Sequence, residues 1–364
     1  MTRVFSRLAC LACAVLAAAP AAAEMQQGKP ELKFAGPLAF NAEGILFVGD
    51  PKSAAVFAID TGETAGDANK ASINVEGIDA KIAAALGTTA DDVDINDLAV
   101  NPASGTAYLS VSRGSDDAPV LLKIDAAGAI SEFALDDVKF AKTELTNAPE
   151  DRVTGEGRRR GNSRMESITD LLFLDGKLYV AGLSNEEFAS KLRSIPYPFT
   201  DAEAEAGSSI EIFHGAHGQL ETRSPVRTFA AVEIDDAPTL LAAYTCTPLV
   251  KIPTAILQPG EKVRGETIAE LGNRNQPLDM IVYQKDGAGF LLMANSARGM
   301  MKIPLAGVES AEEINSRIEG TAGAEYETLE GVEGVVQLDR LNYDNALLLV
   351  DADGGMNLKT MALP

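Results

Sequence analysis

The apolar residues of this chain fall in short runs separated by polar turns, and the pattern recurs along most of its length. In the clearest case the runs are residues 280–283, 290–294 and 300–303. Their β-branched and aromatic side chains favour strands. Asp286 and Gly287 separate the first two runs, and Gly accepts the positive φ of a tight turn. This stretch therefore predicts three antiparallel strands.

Modules of this kind recur, and their first predicted strands begin near residues 37, 97, 170, 239, 279 and 335. Residues 72–75 are predicted as a fourth strand of the first module, and residues 79–86 as a short helix. A sandwich would need fewer strands, and a parallel α/β sheet would need long helices between strands. Radial repetition closes sheet edges, because each blade buries its faces against its neighbours. The pattern predicts an all-β β-propeller of six blades, with seven as the alternative.

The first residues have the pattern of a secretory signal peptide. Arg3 and Arg7 precede an apolar run at 8–19, and three small residues at 21–23 follow it. The run is shorter than the ~20 apolar residues that cross a bilayer. The sequence therefore predicts a signal peptide at 1–23, a single propeller domain at 24–364, no membrane span, and a periplasmic or secreted location.

Charge and cysteine content narrow the partners of the exported chain. Removing Arg3 and Arg7 leaves 29 basic and 53 acidic residues, a net charge of −24. Such a surface repels nucleic acid at long range, so no nucleic-acid partner is expected. Cys246 is the one cysteine beyond the signal peptide, which excludes an internal disulfide. We expect it to be a buried structural thiol.

Propeller topology predicts which loops share a face. With four strands A to D from centre to rim, the D–A and B–C connections lie at one end, here called the upper face, and the A–B and C–D turns lie at the lower face. Asp97, Asp170 and Asp279 precede inner strands and belong to the upper face near the axis. Long insertions at 141–167 and 185–209 leave from the same face. Polar residues that follow second strands join them: Asp50, Arg113, Asn185, Asn295, Arg298 and Asp351.

Long loops and convergent polar groups mark the upper face as the expected ligand site. The predicted ligand-binding residues are Asp97, Asp170, Arg113, Asn275, Arg298 and Arg159. The aspartates have two interpretations that the sequence leaves open. They cap the blades by accepting backbone N–H bonds, or they form a ring of oxygen ligands around a hard cation.

The blade periodicity resembles that of secreted bacterial NHL- and YVTN-like propellers, distantly including the gluconolactonase-type enzymes. The segments LAAYTCTPLVKIP and GNRNQPLDMIVY resemble signatures of a bacterial secreted family. The resemblance to gluconolactonase-type propellers implies a carboxylate and amide cluster that holds Ca²⁺ at the tunnel mouth. The counterparts in this chain would be Glu166, Asn185, Asp279 and Asn295.

Three further features add candidates. A basic island in the acidic chain either is a solvated loop or holds an anionic ligand or an acidic partner. Residues 195–199 are expected to fold over the upper face as a lid. His214 and His217 are predicted on a C–D hairpin at the lower face near the rim, without a third metal ligand. The basic island comprises Arg152, Arg158, Arg159, Arg160 and Arg164.

Two functions follow, and the sequence leaves open whether the protein is an enzyme. The first is an exported binding or scaffold propeller that takes a small molecule or a protein partner on its central face. The alternative is a Ca²⁺-dependent hydrolase of the lactonase or esterase type. No serine nucleophile elbow, phosphate loop or haem-attachment motif is present.

Overall fold

The computed structural model describes residues 25–157, 160–199, 206–246 and 248–364. The predicted signal peptide and two residues of the basic island, Arg158 and Arg159, lie outside these ranges. Across the described ranges no helix has the length and apolar character needed to cross a membrane. The regular secondary structure of this part of the chain is almost entirely short strands, which pair antiparallel with one exception.

The bounds of the elements, in chain order, are as follows. The strands of the first half are β1 (Gln26–Gly28), β2 (Leu38–Phe40), β3 (Ile45–Asp50), β4 (Ala55–Asp60), β5 (Val93–Val100), β6 (Ala107–Arg113), β7 (Ala118–Ile124), β8 (Ile130–Glu132), β9 (Val138–Glu144), β10 (Asp170–Leu174), β11 (Lys177–Leu183), β12 (Ser190–Pro196), β13 (Ser208–His214) and β14 (Gln219–Glu221). Those of the second half are β15 (Val226–Ile234), β16 (Ala237–Tyr244), β17 (Pro248–Pro253), β18 (Lys262–Arg264), β19 (Glu266–Leu271), β20 (Pro277–Lys285), β21 (Ala288–Asn295), β22 (Gly299–Pro304), β23 (Thr321–Gly323), β24 (Glu327–Thr328), β25 (Val335–Arg340), β26 (Asn345–Ala352) and β27 (Gly355–Ala362). The α-helices are α1 (Ile78–Leu86) and α2 (Leu305–Ser310).

Six sheets stand as blades around one axis. Neighbouring inner strands contact each other in the order β2, β10, β15, β20, β25 and β5, and β5 returns to β2. The ring is therefore closed, and the predicted six-bladed propeller is confirmed. From centre to rim the blades are blade 1 (β2, β3, β4, β9, β1), blade 2 (β10 to β14 in order), blade 3 (β15, β16, β17, β19, β23), blade 4 (β20, β21, β22, β24), blade 5 (β25, β26, β27) and blade 6 (β5 to β8 in order).

The chain does not build the blades one after another around the ring. It leaves blade 1 before that blade is complete, builds blade 6, and then returns to blade 1. After β4 it crosses to blade 5, where Val75 and Leu358 exchange two backbone hydrogen bonds of 2.9 Å. It then builds blade 6 and returns as β9 alongside β4. The expectation that residues 72–75 complete the first blade is therefore wrong. The edge of β27 needs a partner for its backbone groups, whereas β9 already covers β4.

The core lies between the blades. In β21, Leu291, Leu292, Met293 and Ala294 are all fully buried. Alternate side chains point to opposite faces of a strand, so Leu291 and Met293 pack towards blade 3 and Leu292 packs towards blade 5. Burying one such side chain contributes about 1.5–3 kcal/mol. The middle strands therefore read as continuous apolar runs, which is why the sequence predicted them.

Blade 2 contains the largest departure from the predicted layout. Strand β12 lies inside the second expected insertion, and it carries Ile195 into the core between blades 1 and 2. Phe199 is buried in the same core, and the Tyr197 ring packs edge-on against Phe47 at 5.0 Å. The lid predicted at 195–199 is therefore wrong, because its apolar side chains fill the core instead of covering the upper face.

The extra strand also reverses the predicted position of the histidine hairpin. With β12 as the third strand, β13 becomes the fourth and runs towards the upper face. His214, its last residue, precedes Gly215, whose N–H donates to Glu270 near the upper end of blade 3. The histidines thus lie at the upper face and not at the lower one.

Two other predicted elements are revised. Strand β15 is an inner strand that was not predicted, and residues 141–144, predicted as part of an insertion, belong to β9.

Candidate functional site

Four inner strands each bring an aspartate to the propeller axis: Asp97, Asp170, Asp279 and Asp339. Strands β5 and β20 carry a one-residue register shift just before Asp97 and Asp279. A bulge of this kind re-aims the side chain that follows it, which turns these carboxylates towards the axis. The sequence identified the first three. Asp339 was missed because it follows the apolar residues of its strand, whereas the other three directly precede an apolar run.

Each of these carboxylates ties its own strand to a neighbouring blade. One oxygen accepts a backbone N–H from the inner strand next to it, and such charge-assisted bonds are among the stronger ones in proteins. The bonds are Leu38 N to Asp97 (2.7 Å), Phe229 N to Asp170 (2.9 Å), Leu338 N to Asp279 (2.8 Å) and Val100 N to Asp339 (2.7 Å). The capping interpretation of the aspartates is therefore confirmed.

Burial also changes the proton affinity of the four groups. Loss of hydration raises the pKa of Asp170 to about 7 and that of Asp339 to about 6. It raises the pKa of Asp97 and Asp279 well above the usual range, and the charge of Asp170 adds to both shifts. The cluster therefore keeps protons near neutral pH, so its members can donate as well as accept hydrogen bonds.

Gln337 of blade 5 links two of these carboxyls. In the amide orientation that satisfies its surroundings, its side-chain nitrogen donates to Asp279 Oδ2 at 2.9 Å and to Asp97 Oδ1 at 3.0 Å. Gln337 follows the bulge of β25, the position that Asp97 and Asp279 hold in their own strands. A neutral amide there joins two acids where a third carboxylate would repel them.

Asp97, Asp170 and Asp279 lie towards the upper end of a central cavity of about 550 Å³, and Asp339 lies further along its wall, next to Arg340. Its wall follows the inner strands towards the lower face, where Asn69, Pro102 and Tyr343 line it. Tyr343 is 61% exposed, so this end of the cavity reaches solvent. The middle of the wall is apolar, as at Phe173 and Val282. Among the described residues that line the cavity, Arg340 is the one with a basic side chain.

Three predicted upper-face residues come together at the junction of blades 3 and 4. Asn295 Nδ2 donates to Asn275 Oδ1 at 3.2 Å, and Asn295 Oδ1 accepts from the backbone N–H of Arg298 at 3.1 Å. Gly272, with a φ of 101°, leaves room for the Arg298 guanidinium, which a Cβ at that position would overlap. These contacts fix a loop, and none of the three residues lines the central cavity as described.

The remaining predicted residues are spread over other contacts. Glu166 forms an ion pair with Arg227 at 2.9 Å. Asn185 is exposed, and Arg113 is exposed at the end of β6. Of the predicted calcium set, Glu166, Asp279 and Asn295 thus each make a different contact, and Asn185 is exposed. Arg159 falls outside the described ranges.

Cys246 is less buried than predicted, and two arginines of the basic island contact their own loop. Cys246 is half-buried in a turn with a φ of 62°, so the prediction of a buried thiol is wrong. Within the island, Arg164 Nε donates to the Pro149 carbonyl at 2.5 Å, and Arg152 pairs with Glu150 at 3.0 Å. Both arginines are therefore held by their own loop.

Comparison with known proteins assigns no function to this chain. No family model matches the sequence, and no curated protein matches it. Among solved structures, a PQQ-bound aldose sugar dehydrogenase from Streptomyces coelicolor is similar with 15% identity and a TM-score of 0.37, over 94% of this chain and 100% of that one. A GH43 β-xylosidase/α-arabinofuranosidase from a compost microbial metagenome, CoXyl43 in complex with xylotriose in a calcium-free form, shows 11% identity and a TM-score of 0.35, over 74% and 90% of the two chains. Likeness at this level assigns no substrate, cofactor or reaction.

Proposed function

We propose that this protein is an exported binding propeller whose central cavity takes a small organic cation. The observation that carries the proposal is the set of four aspartates, Asp97, Asp170, Asp279 and Asp339, on the wall of a cavity of about 550 Å³. Ligand pockets are commonly ~300–1,000 Å³, so the volume suits a small molecule. The proposed export rests on the signal-peptide pattern at 1–23.

The charge of the ligand follows from the electrostatics of the cluster. Burial and mutual repulsion disfavour the ionised form of these carboxyls, and their hydrogen bonds to backbone N–H groups offset only part of this. An ammonium or guanidinium group within ~4–6 Å would favour ionisation. Cation binding would therefore be coupled to proton release. An anionic ligand would meet the opposite effect.

The shape of the rest of the ligand follows from the cavity wall. Between the aspartates and the lower face the wall presents apolar side chains, including Leu172, Phe173 and Val282. A cation with an apolar body of a few carbon atoms would place its charge at the aspartates and its carbon atoms against the apolar wall. Tyr343, at the solvent end, would contact the part of the ligand furthest from Asp97, Asp170 and Asp279.

Three probes of equal length and different charge test the proposal: hexane-1,6-diamine, hexane-1,6-diol and adipate. We expect the diamine to raise the melting temperature in a concentration-dependent way, because a ligand that binds only the folded state stabilises it. The Asp170→Asn variant should lose this response. Asp175→Asn, on the exposed turn at the other end of β10, should keep it.

Two results would overturn the proposal. One is an equal response to all three probes. The other is a diamine response that survives in Asp170→Asn. Ca²⁺ belongs in the same screen, because a response to Ca²⁺ that depends on Asp279 would favour the metal-dependent hydrolase instead.

A further inference from the structure

A second cluster of potential ligands lies at the upper face, near the rim between blades 2 and 3. Strands β13 and β14 form a hairpin with His214 at the end of the first strand, His217 in the turn and Glu221 in the second strand. Glu221 lies opposite Ile212 in the ladder. Residues two apart on a strand share a face, so Glu221 is a diagonal neighbour of His214.

The three side chains converge on one point. Glu221 Oε2 lies 3.0 Å from His214 Nδ1, and Glu221 Oε1 lies 2.5 Å from His217 Nδ1. The two imidazole rings are 3.9 Å apart between centroids. One ligand atom from each of the three side chains lies within 4.8 Å of the others. Among the described residues, no other three histidine, cysteine or acidic side chains come together in this way.

Two buried atoms beside the hairpin have no hydrogen-bond partner, and they form an independent observation. His214 is 3% exposed and its Nε2 is unpaired, while Glu270 of blade 3 is fully buried and its Oε2 is unpaired. The other Glu270 oxygen accepts from the N–H of Gly215, the residue after His214. The Glu270 carboxylate therefore lies beneath the hairpin turn. Unpaired buried polar atoms are costly, which points to a species that the site is built to hold.

We propose that His214, His217 and Glu221 bind a divalent transition metal ion of the zinc type. Zinc bonds to imidazole nitrogen and carboxylate oxygen are ~2.0–2.2 Å, so the donors of a tetrahedral site stand ~3.3 Å apart. The observed donor separations of 3.0 and 2.5 Å require only a small expansion around an ion. Two imidazoles with one carboxylate suit zinc-type metals, whereas Ca²⁺ and Mg²⁺ prefer oxygen donors alone.

Glu270 has a separate role in this arrangement. With Nδ1 of His214 on the metal, the ring proton resides on Nε2, and metal-bound histidines usually donate that proton to a carboxylate or carbonyl. Glu270 has a buried carboxylate oxygen that is not bonded to His214 Nε2 in this structure, and it would accept the Nε2 proton once metal binding fixes that proton there. It is therefore a positioning residue for His214 and not itself a metal ligand. His217, about half exposed, leaves the remaining coordination position open to solvent.

The test uses the untagged mature chain, stripped of metal with a chelator and titrated with Zn²⁺ by calorimetry. We expect one ion per chain, with Ca²⁺ unable to compete. His217→Ala and Glu221→Gln should each weaken binding at least ~10-fold. Glu270→Gln should weaken binding by about 10-fold, the lower end of the ~10–100-fold losses seen for partners of metal-bound histidines. Glu261→Gln, an exposed carboxylate elsewhere at the rim, is the matched control and should bind normally.

Two controls keep the result decisive. The His217 side chain is 51% exposed, so His217→Ala should fold normally, and its unchanged melting temperature without metal would verify this. Bound Co²⁺ should show the visible absorption of a four-coordinate nitrogen and oxygen site in the wild-type chain and lose it in Glu221→Gln. Absence of Zn²⁺ binding, or unchanged affinity in both His217→Ala and Glu221→Gln, would overturn the proposal and leave a plain hydrogen-bonded His–Glu cluster.

Discussion

Replacing Asp170 by Asn removes one half-buried acid and preserves the size of the side chain, and the effect on stability should depend on pH. Burial raises the pKa of Asp170 from its usual 3.8 to about 7. The folded state therefore binds this proton more tightly than the unfolded chain does. Its contribution to the free energy of unfolding is fully present below about pH 4 and is lost as pH rises through about 7.

The magnitude of this contribution follows from the size of the shift. A tenfold change in proton affinity equals ~1.4 kcal/mol, so the ceiling is ~4 kcal/mol. The carboxyl borders a cavity that reaches solvent, and water reduces such effects, so we expect ~1–2 kcal/mol. The variant should lose that part of the pH dependence. Its neighbour Asp97 should also titrate lower, because the charge of Asp170 helps to raise the pKa of Asp97.

The substitution also removes one hydrogen-bond acceptor. The two Asp170 oxygens accept from Leu171 N at 2.7 Å and Phe229 N at 2.9 Å, and Asn can serve only one of them. The unpaired donor costs ~1–3 kcal/mol. At about pH 5 the variant should be less stable than the wild type by this amount. At about pH 8 the loss is offset, because the wild type then carries the buried charge.

Urea denaturation between about pH 5 and about pH 8 measures the effect, with Asp175→Asn as the exposed control on the same hairpin. The free energy of unfolding of the wild type and of the control should fall together as pH rises. That of Asp170→Asn should depend less on pH and should equal the other two at high pH. Parallel curves for all three proteins would refute the argument that burial of Asp170 perturbs its protonation.

Three further predictions concern other parts of the molecule. Gln337→Leu should lower the free energy of unfolding by ~2–4 kcal/mol in urea, because two carboxyls lose an amide donor; an unchanged midpoint would contradict the bridge. Val75→Pro should destabilise by at least ~2 kcal/mol, since it removes the N–H that bonds to Leu358, whereas Ser72→Pro should cost less than ~1 kcal/mol; equal effects would argue against closure at this strand. N-terminal sequencing of exported protein should begin at Glu24; an uncleaved start at Met1 would contradict the predicted signal peptide.

The blade pattern was predictable because it is local. Strands such as β20 and β21 are continuous apolar runs joined by a turn at Asp286 and Gly287, and both features are visible in the sequence. The closure of blade 5 was not predictable in the same way. It joins Val75 to Leu358 across most of the chain, and nothing in the residues near Val75 indicates which open edge they will meet.

The missed parts of the sites have physical causes as well. Strand β12 carries buried Lys191 and Arg193 between its apolar residues, so it resembles a polar loop in sequence. Missing it inverted the direction of β13 and placed the histidines at the wrong face. Glu221 was overlooked because its proximity to His214 depends on the hairpin register. Asp97, Asp170 and Asp279 could be predicted at the axis, since each directly precedes an apolar run, which is a local feature of the sequence.

The central claim is that the cavity aspartates bind a cation, and calorimetric titration with hexane-1,6-diamine tests it most directly. Performed near pH 6.5 in two buffers of different ionisation enthalpy, it reports both binding and the protons released. Because burial raises the pKa of Asp170 to about 7 and of Asp339 to about 6, binding of a diammonium ion should release protons to the buffer. The wild-type chain should therefore bind with a buffer-dependent enthalpy, and Asp170→Asn should bind more weakly and release fewer protons. Absence of binding, or binding with the same enthalpy in both buffers, would contradict the account.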